Sequence, residues 1–127
     1  MGTVRKTYDA FEKRDLEEFL SYHDPEVEFR SLVLEVECVY RGQEGLRRWW
    51  ESLLDVFPDW TPQVEDAREL GDRVLVRVRA EGRGTGTGIE RERHIWNVVE
   101  LRGGRVISSA FFRTENEAVQ AIARGSG

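Results

Sequence analysis

The chain reads as an α+β domain on three observations. Helical periodicity is concentrated in the first half, and long polar–apolar alternation fills the second. Turn signals break the alternating runs at short intervals, as in a meander of antiparallel strands. Helices and strands do not alternate one for one, so a doubly wound α/β sheet is not expected. At 127 residues the chain is one domain, with its core expected at about 4–122 and a frayed tail at 123–127.

The elements follow in order. Val4, Tyr8 and Phe11 share one face of a helix over Thr3 to Arg14. "DLEEFL" restarts helix, with Asp15 as N-cap, Glu18 as its reciprocal capping-box partner, and Leu16, Phe19 and Leu20 on the apolar face. Pro25 ends it by pushing Asp24 out of helical geometry. Val27 and Phe29 alternate as strand, and Leu34, Val36, Cys38 and Tyr40 do so again. "RGQEG" reads as a break. Leu46, Trp49, Trp50, Leu53, Leu54 and Phe57 then give a strong helical stripe, closed by Pro58. Because successive helical residues point about 100° apart, one of Trp49 and Trp50 is expected in the core and the other at a mouth or partner.

Trp60 to Leu70 is weakly patterned. In "RVLVRVRAE", Val74, Val76, Val78 and Ala80 share one face, with Leu75, Arg77, Arg79 and Glu81 on the other. "HIWNVVEL" and "RVISSAFF" flank the turn Gly103-Gly104. Thr114 and Glu117 form a second capping box before a short closing helix through Ala118, Val119 and Ile122.

Composition excludes several classes. Apolar residues make up 39% and charged ones 34%, as in a soluble globular domain. No apolar run approaches the ~20 residues needed to span a bilayer. "MGTVRK" carries neither an apolar signal core nor the serine or threonine of a myristoylation signal at Lys6, so a cytoplasmic location and no membrane partner are expected. Cys38 is the lone cysteine, which excludes an internal disulfide. Acids outnumber bases 24 to 19, and the bases are scattered among acids, so no nucleic-acid partner is expected. No His-x-His or Glu-x-x-His spacing exists, so neither metal nor other cofactor is expected.

The alternating glycines Gly82, Gly84, Gly86 and Gly88 are not a phosphate cradle. A dinucleotide fingerprint needs G-x-G-x-x-G before a helix, whereas here position 87 is threonine and a strand pattern follows. They read as the relaxed end of a long bent hairpin.

Four stretches carry a resemblance. "YDAFEKRDLEEFLSYHDPEVEF", "YRGQEGLRRWW", "FPDW" and "VVELRGGRVISSAFFRTENEAVQA" together resemble nuclear-transport-factor-2-like proteins, specifically their SnoaL-like, polyketide-cyclase-like branch, over about Val4 to Ile122. The resemblance implies a cone: a curved mixed sheet in a cystatin-like roll, wrapped around the N-terminal helices, with an apolar pocket at the open end. It also implies a homodimer through the outer face of the sheet. Family members include polyketide cyclases, ketosteroid isomerases, limonene epoxide hydrolases and dehydratases, so fold alone does not name an activity.

Each chemistry can be tested on the residues. The ketosteroid-isomerase pattern needs a carboxylate on the first strand and two donors for an oxyanion. The strand reads Phe29-Arg30-Ser31, without that base; the donor positions fall at Thr7 or Tyr8 and near Trp96 or Asn97. Asn97 can still donate to an oxygen. The epoxide-hydrolase pattern needs two carboxylates bridged by an arginine. Arg79 and Glu81 supply half of it, and "VISSAFFRT" supplies no second acid. The alternative for that pair is a surface ion ladder with Arg93.

The cyclase pattern needs an acid or histidine in the pocket. His23, beside Pro25, reads as a solvated helix cap. If the aliphatic face of residues 91–101 lines the cone, Asn97 and Arg93 point inward and His94 faces a dimer partner with Trp96. The opposite parity makes His94 the acid–base candidate.

The candidate catalytic residues are therefore Asn97, Glu81 and His94. Candidate ligand contacts are Tyr8, Phe11, Phe29, Trp49, Phe57, Trp60, Arg79, Arg93 and Phe111. The expected function is binding, with no defined activity, of a small apolar or ring-containing molecule that is uncharged or weakly anionic. The alternatives are a proton-transfer enzyme of the cyclase, isomerase or epoxide-hydrolase kind and a dimerisation module with a filled cavity.

Overall fold

A computed structural model describes residues 2–31, 38–83 and 90–125. Two helices open the chain, α1 (Gly2–Glu12) and α2 (Leu16–Ser21), followed by strands β1 (His23–Ser31) and β2 (Cys38–Arg41). Helix α3 (Gly42–Val56) precedes four consecutive strands, β3 (Thr61–Leu70), β4 (Arg73–Arg83), β5 (Glu90–Arg102) and β6 (Arg105–Phe112). Helix α4 (Glu115–Gly125) follows. The α+β expectation holds. The expected strand residues Leu34 and Val36, and Gly84, Gly86 and Gly88, lie outside the described residues.

The strands form one mixed sheet in the order β2-β1-β6-β5-β4-β3. All neighbours are antiparallel except β1 and β6, which run parallel. Two irregularities help curve it. Between Leu101↔Val106 and Glu100↔Ser108 the sixth strand carries one extra residue, Ile107. Between Val64↔Val78 and Asp66↔Arg77 the third carries Glu65. An extra residue bends its strand and increases local twist. The weak pattern of residues 60–70 is explained by the same feature and by β3 lying at the sheet edge.

The concave face buries Val74, Val76, Val78 and Ala80 of β4, as alternation predicts, together with Ile95 and Val99 of β5 and Phe29 of β1. Helices α1, α2 and α3 fill the concavity. Both tryptophans of α3 are buried, at 5% and 6% exposure. The Trp50 ring lies 4.7 Å from Phe11 and 5.0 Å from Phe19, and Trp49 lies 4.5 Å from Phe29. On the convex face, α4 covers a second, smaller cluster of Leu75, Val98 and Ala118, with Trp96, Phe112 and Ile122 around it.

The caps explain the helix boundaries. The Asp15 carboxylate accepts from the Glu18 amide at 3.1 Å, as predicted. The reciprocal half of that box is absent: the Asp15 amide donates to the Ala10 carbonyl and the Glu18 carboxylate pairs with Lys13. That amide closes a C-terminal loop on α1, in which Arg14 takes the left-handed seat (φ 58°) usual for glycine. At α4 the forward half of the box forms, Thr114 Oγ1 accepting from the Glu117 amide, and the Thr114 hydroxyl itself, rather than its amide, donates to the Glu117 carboxylate. "RGQEG" is only partly a break. Gly42 makes the turn at φ +71° and α3 begins there, four residues ahead of Leu46. No helix among the described residues is long and apolar enough to cross a membrane.

Candidate functional site

A cavity of about 50 Å³ lies between the concave face and the helices. Phe11, Phe19, Phe29, Trp49, Trp60 and Phe111 supply most of its wall, and Val78, Ile95, Val99 and Val106 the floor of the sheet. Among the described residues, five polar ones reach it, Thr7, Tyr8, His23, Asn97 and Ser109, and neither Asp nor Glu does.

Three of the polar residues form a chain of hydrogen bonds. Ser109 Oγ donates to Asn97 Oδ1 at 2.9 Å, and Asn97 Nδ2 donates to the Tyr8 hydroxyl at 2.8 Å. Asn97 is 4% exposed and is brought there by strand parity: it shares the inner face of β5 with Ile95 and Val99. Ser109 stands opposite Val99 on β6, and Phe111 opposite Asn97. The Ile107 irregularity sets this face, because it turns Val106 inward with Ser109 and Phe111, where strict alternation would have placed Ile107. Thr7 is not in the chain; its hydroxyl returns to the Val4 carbonyl at 2.6 Å. Of the positions that the resemblance left at Thr7 or Tyr8 and at Trp96 or Asn97, Tyr8 and Asn97 touch each other at the cavity, whereas the Thr7 hydroxyl is turned back to Val4.

Burial raises the Tyr8 phenol above its usual value, partly offset by the hydrogen bond from Asn97. It is therefore a neutral group. Its oxygen accepts from Asn97, and its own proton meets no acceptor among the described residues.

His23 corrects the sequence expectation. It is not a solvated cap but 3% exposed, at the junction of α2 and β1. Its Nδ1 lies 2.8 Å from the Phe19 carbonyl, and its ring lies 4.7 Å from the Phe19 ring. Burial lowers its pKa to about 4, the carbonyl contact opposing the shift.

The remaining candidates are divided. Tyr8, Phe11, Phe29, Trp49, Trp60, Asn97 and Phe111 come together at the cavity. Phe57 is half-buried behind it, its ring 5.3 Å from Trp60. Arg79 and Glu81 lie on the convex face, paired to each other at 2.6 Å and each 40% exposed. His94 lies there too, 46% exposed, 3.2 Å from a Glu65 carboxylate that also meets Arg77. Arg93 is opposite Ala80 in the backbone register, and its side chain lies outside the described residues. The structure does not bring Glu81 or His94 to Asn97. Sequence reasoning missed Ser109, Phe19 and Val106 at the cavity as well as His23.

The SnoaL-like domain profile matches residues 4–109, most of the chain. The chain belongs to the SnoaL-like family. Solved structures share the SnoaL-like chain's fold. An NTF2-like protein of unknown function from Burkholderia pseudomallei superposes with a TM-score of 0.81 at 18% identity, covering 94% of each chain. TerC, co-crystallised with polyporic acid, gives 0.80 at 19% identity over 96% of each. IdmH, a proposed polyketide cyclase from Streptomyces antibioticus, gives 0.75 at 26% identity over 94% of each. No curated protein matches this SnoaL-like chain.

Proposed function

We propose that this SnoaL-like protein binds a small, weakly polar, ring-containing molecule in its cone. One observation carries the reading. A hydrogen-bonded chain ends at Tyr8, whose hydroxyl proton has no acceptor among the described residues, in a cavity whose other described lining, apart from Thr7 and His23, is aromatic and aliphatic. An apolar pocket with a few convergent polar groups is the usual form of a small-molecule site. The likeness to IdmH supports the same class of ligand.

The cavity is small against the ~300 Å³ or more of a ligand pocket, so entry requires a wall to move. Tyr8 and Pro62 mark that wall. Both also line an outer groove of about 230 Å³ between α1 and β3, with Arg5, Asp9, Glu12 and Gln63. Rotation of Tyr8 joins the groove to the cavity and gives a ring an apolar bed with a polar exit.

The small volume also favours a second reading, an interaction module whose cone is filled by its own side chains. Titration of planar test compounds such as 1-naphthol and menadione, read through Trp49 and Trp60 fluorescence, separates the two. Saturable quenching that weakens in Phe111→Ala supports binding. No saturation with any compound, and no small molecule retained in native mass spectra, supports the filled module. The homodimer belongs to the same proposal. Because α4 already covers Leu75 and Val98, a second copy would use the outer surface of β3 and β4. A monomer at micromolar concentration in equilibrium sedimentation would remove that part.

A further inference from the structure

The cavity holds a second polar group that the Tyr8 chain does not use. A carbonyl oxygen only accepts, so the 2.8 Å contact of His23 Nδ1 with the Phe19 carbonyl places the ring proton on Nδ1. The neutral imidazole then carries its lone pair on Nε2. No group among the described residues is hydrogen-bonded to Nε2, and His23 lines the cavity. The Phe19 carbonyl fixes the tautomer, and the Phe19 ring packs against the imidazole. His23 is thus held as an acceptor in a largely apolar cavity, while Tyr8 offers a donor.

We propose that His23 is the residue that reads the ligand's own donor group. The site takes an apolar ring bearing both a carbonyl oxygen, met by the Tyr8 hydroxyl, and a phenolic or enolic O–H, met by His23 Nε2. This rests on the small-molecule reading above and narrows it to hydroxylated aromatic ketones and their enolised equivalents. A ligand lacking the O–H leaves the Nε2 lone pair buried without a partner, which is the discriminating cost. A carboxylate in the same place meets an acceptor lone pair and is disfavoured.

The test compares acetophenone with its 3-hydroxy and 4-hydroxy isomers, together with the nitrogen-15 resonances of His23 in the wild-type protein. At least one hydroxylated isomer should bind about 10-fold more tightly than acetophenone. That isomer alone should move the Nε2 resonance toward its hydrogen-bonded position, and the advantage should vanish in His23→Phe, which keeps an aromatic ring against Phe19. If that variant does not fold, the wild-type resonance and the isomer comparison still decide. Equal binding of all three compounds with an unmoved Nε2 overturns the role of His23 and leaves the small-molecule reading standing. Binding of none of them overturns both.

Discussion

The two histidines show how differently the two faces of one sheet treat the same side chain. His94 stands on the convex face of β5, half in water, beside a carboxylate. His23 is buried inside the concavity, with a backbone carbonyl on one nitrogen, and lines the cavity. The sequence read His23 as a solvated cap and left both faces open for His94. The difference teaches that chemistry on this scaffold is selected by burial: the convex face carries its polarity as ion pairs, and the interior carries it as neutral groups bonded to one another.

The largest expected effect comes from emptying the interior. Trp49→Ala removes a ring in contact with Phe11, Phe19 and Phe29 and should cost about 3–5 kcal/mol in urea unfolding. A loss below ~1 kcal/mol would show that the aromatic packing is not tight.

The next effect is in pH. His23 has a pKa of about 4 when folded against 6.5 unfolded. Between those values the unfolded chain binds a proton that the folded chain does not, so stability falls as pH falls from about 6.5 towards 4. The contribution is about 3 kcal/mol by that point. The difference between wild type and His23→Phe across this range isolates it from the carboxylates. A flat difference would mean that His23 is not buried as a neutral ring.

Breaking the polar chain is smaller still. Asn97→Leu leaves the Tyr8 oxygen without its donor and Ser109 without its acceptor, and should cost about 1–3 kcal/mol by thermal or urea unfolding. Stabilisation instead would show that the trio is poorly matched as it stands. The smallest effect belongs to the outside. His94→Ala should change stability by no more than about 0.5 kcal/mol, because its partner is an exposed carboxylate. A loss as large as that of Asn97→Leu would erase the contrast between the faces.

What could be read from sequence follows from periodicity. The valines of β4 and the stripe of α3 repeat often enough to fix both element and face, and Asn97 inherits its inward direction from neighbours two residues away. His23 has no such support. It lies between a helix end and Pro25, where no period runs, and the adjacent acid and proline read as solvated turn. Ser109 was hidden by the extra residue Ile107, since alternation counted from Val106 puts the serine on the wrong side. Glu65 was obscured in the same way in β3, where the irregularity leaves it beside Arg77 and His94. Single irregularities of register, invisible in composition, decided which polar groups meet.

Arg14 carries a consequence of a different kind. From its left-handed seat after α1 its guanidinium donates to the carbonyls of Phe11, Pro58 and Trp60, the last at 2.6 Å. The main chain beneath the Trp60 wall is therefore anchored by a residue that does not line the cavity. The cavity's width can therefore be altered from this remote clasp: a shorter cation at position 14 frees the corner after α3 while every lining side chain stays the same. An identical set of cavity residues is thus compatible with cavities of different width.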